Sequence, residues 1–222
     1  MERSNVYFRK LNVLAVCSIL LFTLGASADE WDRSQGNRAR MAIDQAASSD
    51  VSKEVRAVFS SMLYQATTDM DFDDFSEYLL KSDRDRIGSL GSEQLTNFKA
   101  AAHRFDVAWR AKYVTSFDLG DSSTQAQALN FPVSSSSNGD IAMLQIEESH
   151  GLPPVALTVE KEGLISKAYR VNLPDSMTAK GLADSLTAHL DSLCSSQVQW
   201  PQDRLEAGTI VGHHIALALM GK

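Results

Sequence analysis

The sequence predicts an α+β fold: an antiparallel meander of three or four strands, packed by N-terminal helices and followed by two C-terminal helices. Three observations predict it. Apolar residues recur at helical spacing from Val51 to about Tyr113. Between Gln125 and Val171 they occur in short alternating runs separated by turn residues. Helical spacing then returns from Asp175 to Met220. Helices, then short strands joined by short turns, then helices describe one α+β domain over 51–222. Composition agrees with a globular chain, since 44% of the 222 residues are hydrophobic and 22% are charged.

The first 28 residues stand apart. Arg3, Arg9 and Lys10 precede the apolar run Leu11 to Leu24, and Gly25-Ala26-Ser27-Ala28 follows it. A charged start, a short apolar middle and an A-x-A end form the pattern of a secretory signal peptide. The run is too short to cross a hydrocarbon core of roughly 30 Å with ease, so an uncleaved N-terminal membrane anchor is the lesser reading. Val16 before Cys17 does not make a lipoprotein site. The expected mature start is Asp29, and the expected location is the periplasm or the outside of a bacterial cell. Cleavage leaves one thiol, Cys194, so the fold rests on its apolar core rather than on an internal disulfide. Cleavage removes three basic residues and one acidic one from a chain already at net charge −7. That balance argues against nucleic acid and against an anionic membrane face as partners.

Residues 29–50 read as a polar tether. Arg33, Arg38 and Arg40 are its basic residues, too few for a nucleic-acid arm. A helix begins at Val51, with Val51, Val55, Val58, Met62 and Ala66 on one stripe beside Phe59 and Leu63, and ends at Thr67-Thr68. A second, shorter helix is capped by Asp71 or Asp73 and turns Phe75, Tyr78 and Leu79 inward; Gly88 and Gly91 end it. Ser92 is the expected N-cap of the third helix, with Glu93 in the first turn. Leu95, Phe98, Ala102, Phe105 and Trp109 form its buried stripe, and the helical half closes at Asp118, Gly120 and Asp121.

Gln125 to Val133 alternates loosely. Ser134 to Asp140 reads as a Ser-rich loop turning at Asn138-Gly139. Strands follow over Ile141–Glu148, Val155–Val159 and Leu164–Val171. His150-Gly151-Leu152-Pro153-Pro154 and Lys161-Glu162-Gly163 connect them. Pro174-Asp175-Ser176 caps the first C-terminal helix, whose inner face carries Leu182, Leu186, His189 or Leu190, and Leu193. Trp200-Pro201 opens the second. After Ala207 that helix is apolar nearly all round, which predicts burial on two sides, and Gly208, Gly212 and Ala216 allow close approach. It is too short to be a membrane span.

Four groups of residues invite chemistry. The acidic cluster Asp69, Asp71, Asp73, Asp74 lacks the Gly and Glu of a calcium loop, having Asp74 and Leu80 at those places, and reads as a helix start. His213 and His214 point about 100° apart and lack the H-x-x-x-H spacing of a zinc pair; His189 could meet one of them across antiparallel helices. One reads as a hydrogen-bonded core histidine and the other as reaching the surface. Glu147, Glu148 and His150 gather at a strand end, where alternation lets only one glutamate share a side with His150; a polar turn is the preferred reading. Cys194 has Asp191 as its charged neighbour, which raises a thiol pKa, and reads as a small residue at a helix end. Nucleophile-elbow, phosphate-loop, dinucleotide and C-x-x-C patterns are absent from the sequence. No catalytic, cofactor-binding or metal residue is therefore assigned.

Two sets of residues carry a resemblance. Ala108-Trp109-Arg110-Ala111-Lys112-Tyr113 runs into Phe117-Asp118-Leu119-Gly120-Asp121. Ser149-His150-Gly151-Leu152-Pro153 is followed by Tyr169-Arg170-Val171-Asn172-Leu173-Pro174-Asp175 and by His213-His214. Together they resemble uncharacterised exported proteins of planctomycete-type bacteria, over about 51–220, a group with no assigned activity. The segment from Val51 to Pro174 is also similar in outline to nuclear-transport-factor-2-like or cystatin-like domains, which wrap a curved antiparallel sheet around a long helix; this chain instead continues into two helices.

The expectation is a non-enzymatic binding or structural module outside the cytoplasm, taking a protein partner or a small ligand, with no cofactor. The alternative is a small-molecule-binding or isomerase-like enzyme. It would have a pocket between sheet and helix, and an inward carboxylate or histidine among Phe98, Phe105 and Trp109.

Overall fold

In the computed structural model the described residues are 49–68, 72–117, 129–163, 167–195 and 199–222. Chain contacts divide the molecule into two units, 1–46 and 47–222, and every described residue lies in the second. The signal-like segment, Cys17, and Arg33, Arg38 and Arg40 of the tether lie outside the described residues. So do Asp69, Asp71, Asp118, Gly120, Asp121 and the start of the run from Gln125.

The N-terminal helices occupy 49–67 (α1), Phe72–Ser76 (α2), Lys81–Ile87 (α3) and Ser92–Tyr113 (α4). The α1 stripe is buried as its spacing predicts, with Val55, Phe59, Met62, Leu63 and Ala66 at the core and Val51 and Val58 at its margin. Thr67 donates its hydroxyl to the Leu63 carbonyl at 2.8 Å in the last turn. The short second helix differs from the prediction. It stops at Ser76, and residues 78–80 turn into a strand-like segment beside Val171. The Leu80 amide donates to the Val171 carbonyl and the Val171 amide to the Tyr78 carbonyl. The sheet's outer edge competes for these backbone groups, and a separate helix, α3, then follows. Among the described residues four helices therefore precede the strands, where three were expected. In α4 the predicted stripe of Phe98, Ala102, Phe105 and Trp109 is buried, Leu95 half-buried. Its N-cap is Gly91 rather than Ser92: the extended Gly91 presents its carbonyl to the Leu95 amide, and Ser92 is already helical.

The sheet is a meander in the order β1-β2-β3-β4, with β1 Val133–Ser135, β2 Ile141–Ile146, β3 Val155–Glu162 and β4 Ala168–Val171, all antiparallel. Alternation places Ala142, Leu144, Ile146, Val155, Leu157, Val159, Tyr169 and Val171 on the buried face. Several boundaries differ from the sequence reading: β2 ends at Ile146 rather than Glu148, and β4 begins at Ala168 rather than Leu164, which lies outside the described residues. Ser134 and Ser135 pair with Met143 and Ala142, so part of the Ser-rich loop is strand. Lys161 and Glu162 pair with Tyr169 and Ala168, so the expected turn is strand to Glu162. Ladder bonds use only backbone groups, and polar side chains cost little where they meet water.

The C-terminal helices are α5, Ala179–Leu193, and α6, Arg204–Leu219. Thr178, not the Pro174-Asp175-Ser176 segment, caps α5, its hydroxyl accepting from the Gly181 amide at 3.0 Å. Asp203, not Trp200-Pro201, caps α6. The Pro201 carbonyl instead accepts from the Tyr113 hydroxyl at 2.7 Å, and Trp200 packs edge-on against Trp109. From Ala207 to Leu219 every residue of α6 is buried except the half-buried Thr209. It packs on β3 and on α5, and a Cβ at Gly212 would stand 3.2 Å from Phe131 and 3.4 Å from Leu63. The helix is thus enclosed from the sheet, from α5 and from α1, more completely than the two sides predicted. No helix among the described residues is long and apolar enough to cross a membrane.

One buried charge ties α3 to the loop before α5. Asp83 accepts the Leu173 amide at 2.8 Å on one oxygen and Arg86 at 2.7 Å on the other. Arg86 donates in turn to the carbonyls of Pro174, Asp175 and Met177. Asp83→Ala leaves a buried amide and a guanidinium without their acceptor. We expect urea unfolding to show a loss of about 2–3 kcal/mol, whereas the exposed pair Lys81–Asp85 should show almost none on Asp85→Ala.

Candidate functional site

Burying α6 all round also buries His213 and His214, which are 1% and 8% exposed. Neither reaches the surface, contrary to the expectation that one would. Each must find a hydrogen-bond partner inside. His213 lies under the turn at 149–152, where Ser149 and Leu152 bridge and His150 and Gly151 both have positive φ (54° and 77°). Its Nε2 is 2.8 Å from the Pro153 carbonyl and its Nδ1 3.2 Å from the Ser149 hydroxyl. A carbonyl only accepts, so Nε2 carries the hydrogen. In the neutral ring Nδ1 is then bare, and the serine must donate to it.

His214 faces the other way. Its Nδ1 is 3.0 Å from His189 Nδ1 on α5, the cross-helix meeting that the sequence allowed. His189 Nε2 is 2.9 Å from the Lys222 carbonyl and so donates there; in the neutral pair His214 donates to His189. Burial lowers the pKa of both α6 histidines, with the neighbouring histidines adding to the effect; that of His214 falls to about 4. No group of three or more His, Cys, Asp or Glu with metal-site geometry occurs among the described residues.

The other candidates do not converge. Glu147 and Glu148 are both exposed, and neither pairs with His150, which stands 3.7 Å from Glu206 of α6 instead. Asp73 and Asp74 lie in the first turn of α2, whose Phe72 and Phe75 are buried, as a helix start requires. The Cys194 thiol donates to the Leu190 carbonyl at 3.2 Å; burial chiefly, then Asp191, raises its pKa, which keeps it protonated and unreactive. Phe98, Phe105 and Trp109, expected to line a pocket in the enzyme reading, are completely buried, and the Phe105 and Trp109 rings pack 5.9 Å apart.

A cleft of about 570 Å³ opens instead between the end of α1 and the outer face of α4. Tyr64, Gln65 and Thr68 line one wall, His103, Asp106 and Arg110 the other, and Ser116 lies at its end. Asp106 accepts from Arg110 Nε at 2.6 Å, so the carboxylate and the guanidinium among the described lining residues offset each other. Tyr64 leaves 41% of its surface in solvent there. Sequence reasoning missed this set. His103, Asp106 and Arg110 flank the buried stripe, and an acid and a base at i, i+4 look like any solvated helix face. Only the approach of α1 makes that face a wall.

The histidines predict a pH dependence. The unfolded chain binds protons at the ordinary histidine pKa of 6.5, the folded chain at His214 only near pH 4. Their stabilising contribution is therefore complete above pH 6.5, falls as pH drops toward 4, and stays lost below it. We expect urea unfolding at pH 7, 5.5 and 4 to show a decline reaching about 3 kcal/mol from His214, which a His214→Gln variant lacks. No protein-family model matches this chain, and neither does any curated protein or solved structure.

Proposed function

We propose that this protein is an exported binding module that takes a small, uncharged, polar ligand in the cleft between α1 and α4. The observation that carries the reading is the cleft's composition. Among the described residues that line it, the two formal charges are paired with each other. Around that pair stand a phenol ring, an amide, two hydroxyls and an imidazole. Such a set suits a polyhydroxylated or amide-bearing molecule, with the Tyr64 ring under an apolar face and the polar groups at its edges. The filled interior around Trp109 supports binding at this surface over an enzyme pocket beneath the sheet.

Export rests on the sequence, on Arg3, Arg9 and Lys10, the run Leu11 to Leu24 and Ala26-Ser27-Ala28. The resemblance to exported proteins of planctomycete-type bacteria and the outline likeness to nuclear-transport-factor-2-like domains belong to the same proposal.

Two measurements test it. Mass spectrometry of the protein from a fractionated bacterial host should find Asp29 as the N-terminus, outside the cytoplasm; retention of 1–28 overturns cleavage at Ala28, and a cytoplasmic location overturns export. NMR titration with neutral oligosaccharides and small amides should shift Tyr64, His103 and Arg110 together. Arg110→Ala should weaken binding about tenfold or more, as expected for loss of a charge-assisted hydrogen bond. Shifts confined to other residues would overturn the cleft as the site.

A further inference from the structure

Ser149 and His213 form a pair that the cleft does not use. The serine stands at the first position of a tight turn, bridged to Leu152, half-buried, between the exposed residues Glu148 and His150. Its hydroxyl proton points to His213 Nδ1, because the Pro153 carbonyl occupies Nε2–H on the ring's other side. The imidazole is thereby fixed in tautomer and orientation by one bond and presents a bare nitrogen to a hydroxyl by the other. Those are the two requirements for a general base beside a nucleophile. A backbone carbonyl here takes the orienting place that a carboxylate takes elsewhere.

We propose that Ser149 is a nucleophile activated by His213, and that the 149–153 turn transfers acyl groups from small activated esters to water. Ser149 Oγ bonds to the ester carbonyl carbon as its proton passes to His213 Nδ1. The tetrahedral adduct collapses, the bond to the leaving oxygen breaks, and the proton on Nδ1 goes to that oxygen. Water then attacks the acyl-serine, giving its proton to Nδ1; the acid departs and the serine oxygen takes the proton back. Acid and alcohol are the products, and no other reactant enters. His150 and Gly151, whose amides follow the nucleophile, are exposed, and in this step their N–H groups donate to the oxyanion. Burial favours neutral His213 below the usual histidine range, which keeps the base ready at neutral pH. The groups facing it are His150, paired with Glu206, together with Ser149 and, farther off, His189.

This inference does not depend on the cleft. The test uses the whole described unit in its native chain, treated with p-nitrophenyl acetate, and peptide mass spectrometry to locate the acetyl group. We expect Ser149 to acetylate on the order of a hundredfold faster than exposed Ser135, the range a positioned base supplies. The rate should rise with pH as His213 loses its proton and then level. Ser149→Ala should abolish both the serine adduct and p-nitrophenol release above the solvent rate, while Ser135→Ala should change neither. A purely structural hydrogen bond would leave Ser149 no more reactive than Ser135. That result, or undiminished release from a folded Ser149→Ala protein, overturns the proposal. Because His213 is buried, His213→Gln is read only after circular dichroism shows it folded, and the wild-type pH profile stands in its place if it is not.

Discussion

The enclosure of α6 is the constraint from which the rest of the structure follows. A helix with apolar residues on every side cannot lie at a surface, so sheet, α5 and α1 must all cover it. Gly212 permits one of those approaches, since even a methyl group would press on Phe131 and Leu63. The two histidines in the middle of the helix are carried inside with it. Two imidazoles out of water each cost several kilocalories if left unpaired, so the surroundings must bring them acceptors and donors. The 149–153 turn does this for His213, and His189 does it for His214. Helix, turn and neighbouring helix are held in register by the same necessity.

Other polar ties are of unequal weight. Arg104 holds Asp191 with two nitrogens across α4 and α5, yet both side chains are about half in solvent, so the pair adds little. The Asp83–Arg86 system is sheltered and satisfied by four backbone groups, and it locks the entry to α5 against α3. Around Trp109 the work is done by rings: Tyr113, Phe117 and Trp200 lie within 5.5 Å of its centre and bring the approach to α6 against α4. These contacts fill the space in which an interior ligand would sit.

Much of the architecture was legible in the residues. The Phe98–Trp109 stripe, the alternation over Ile141–Ile146 and the all-round apolar run after Ala207 are local patterns, and each kept its predicted burial. Helix starts were read less well. Pro174-Asp175-Ser176 and Trp200-Pro201 have the right chemistry for a cap, but their carbonyls were claimed by Arg86 and Tyr113, remote in sequence, while Ser92 is already helical, one residue past the Gly91 cap. The second helix broke at Ser76 for the same reason, the edge of the sheet at Val171 offering its neighbours other bonds.

By itself the sequence determined the order of helices and strands and the interior faces, because periodicities of 3.6 and 2 are properties of adjacent residues. It also determined that α6 would be buried. Only the tertiary structure decided which groups meet: Ser149 with His213 across 64 positions, His189 with His214, and Tyr64 opposite His103 and Asp106. A polar side chain on a helix looks the same in sequence whether it faces water or a second helix. The difference lies in crossing angles and turn geometry, which are set by how the whole apolar surface closes on itself.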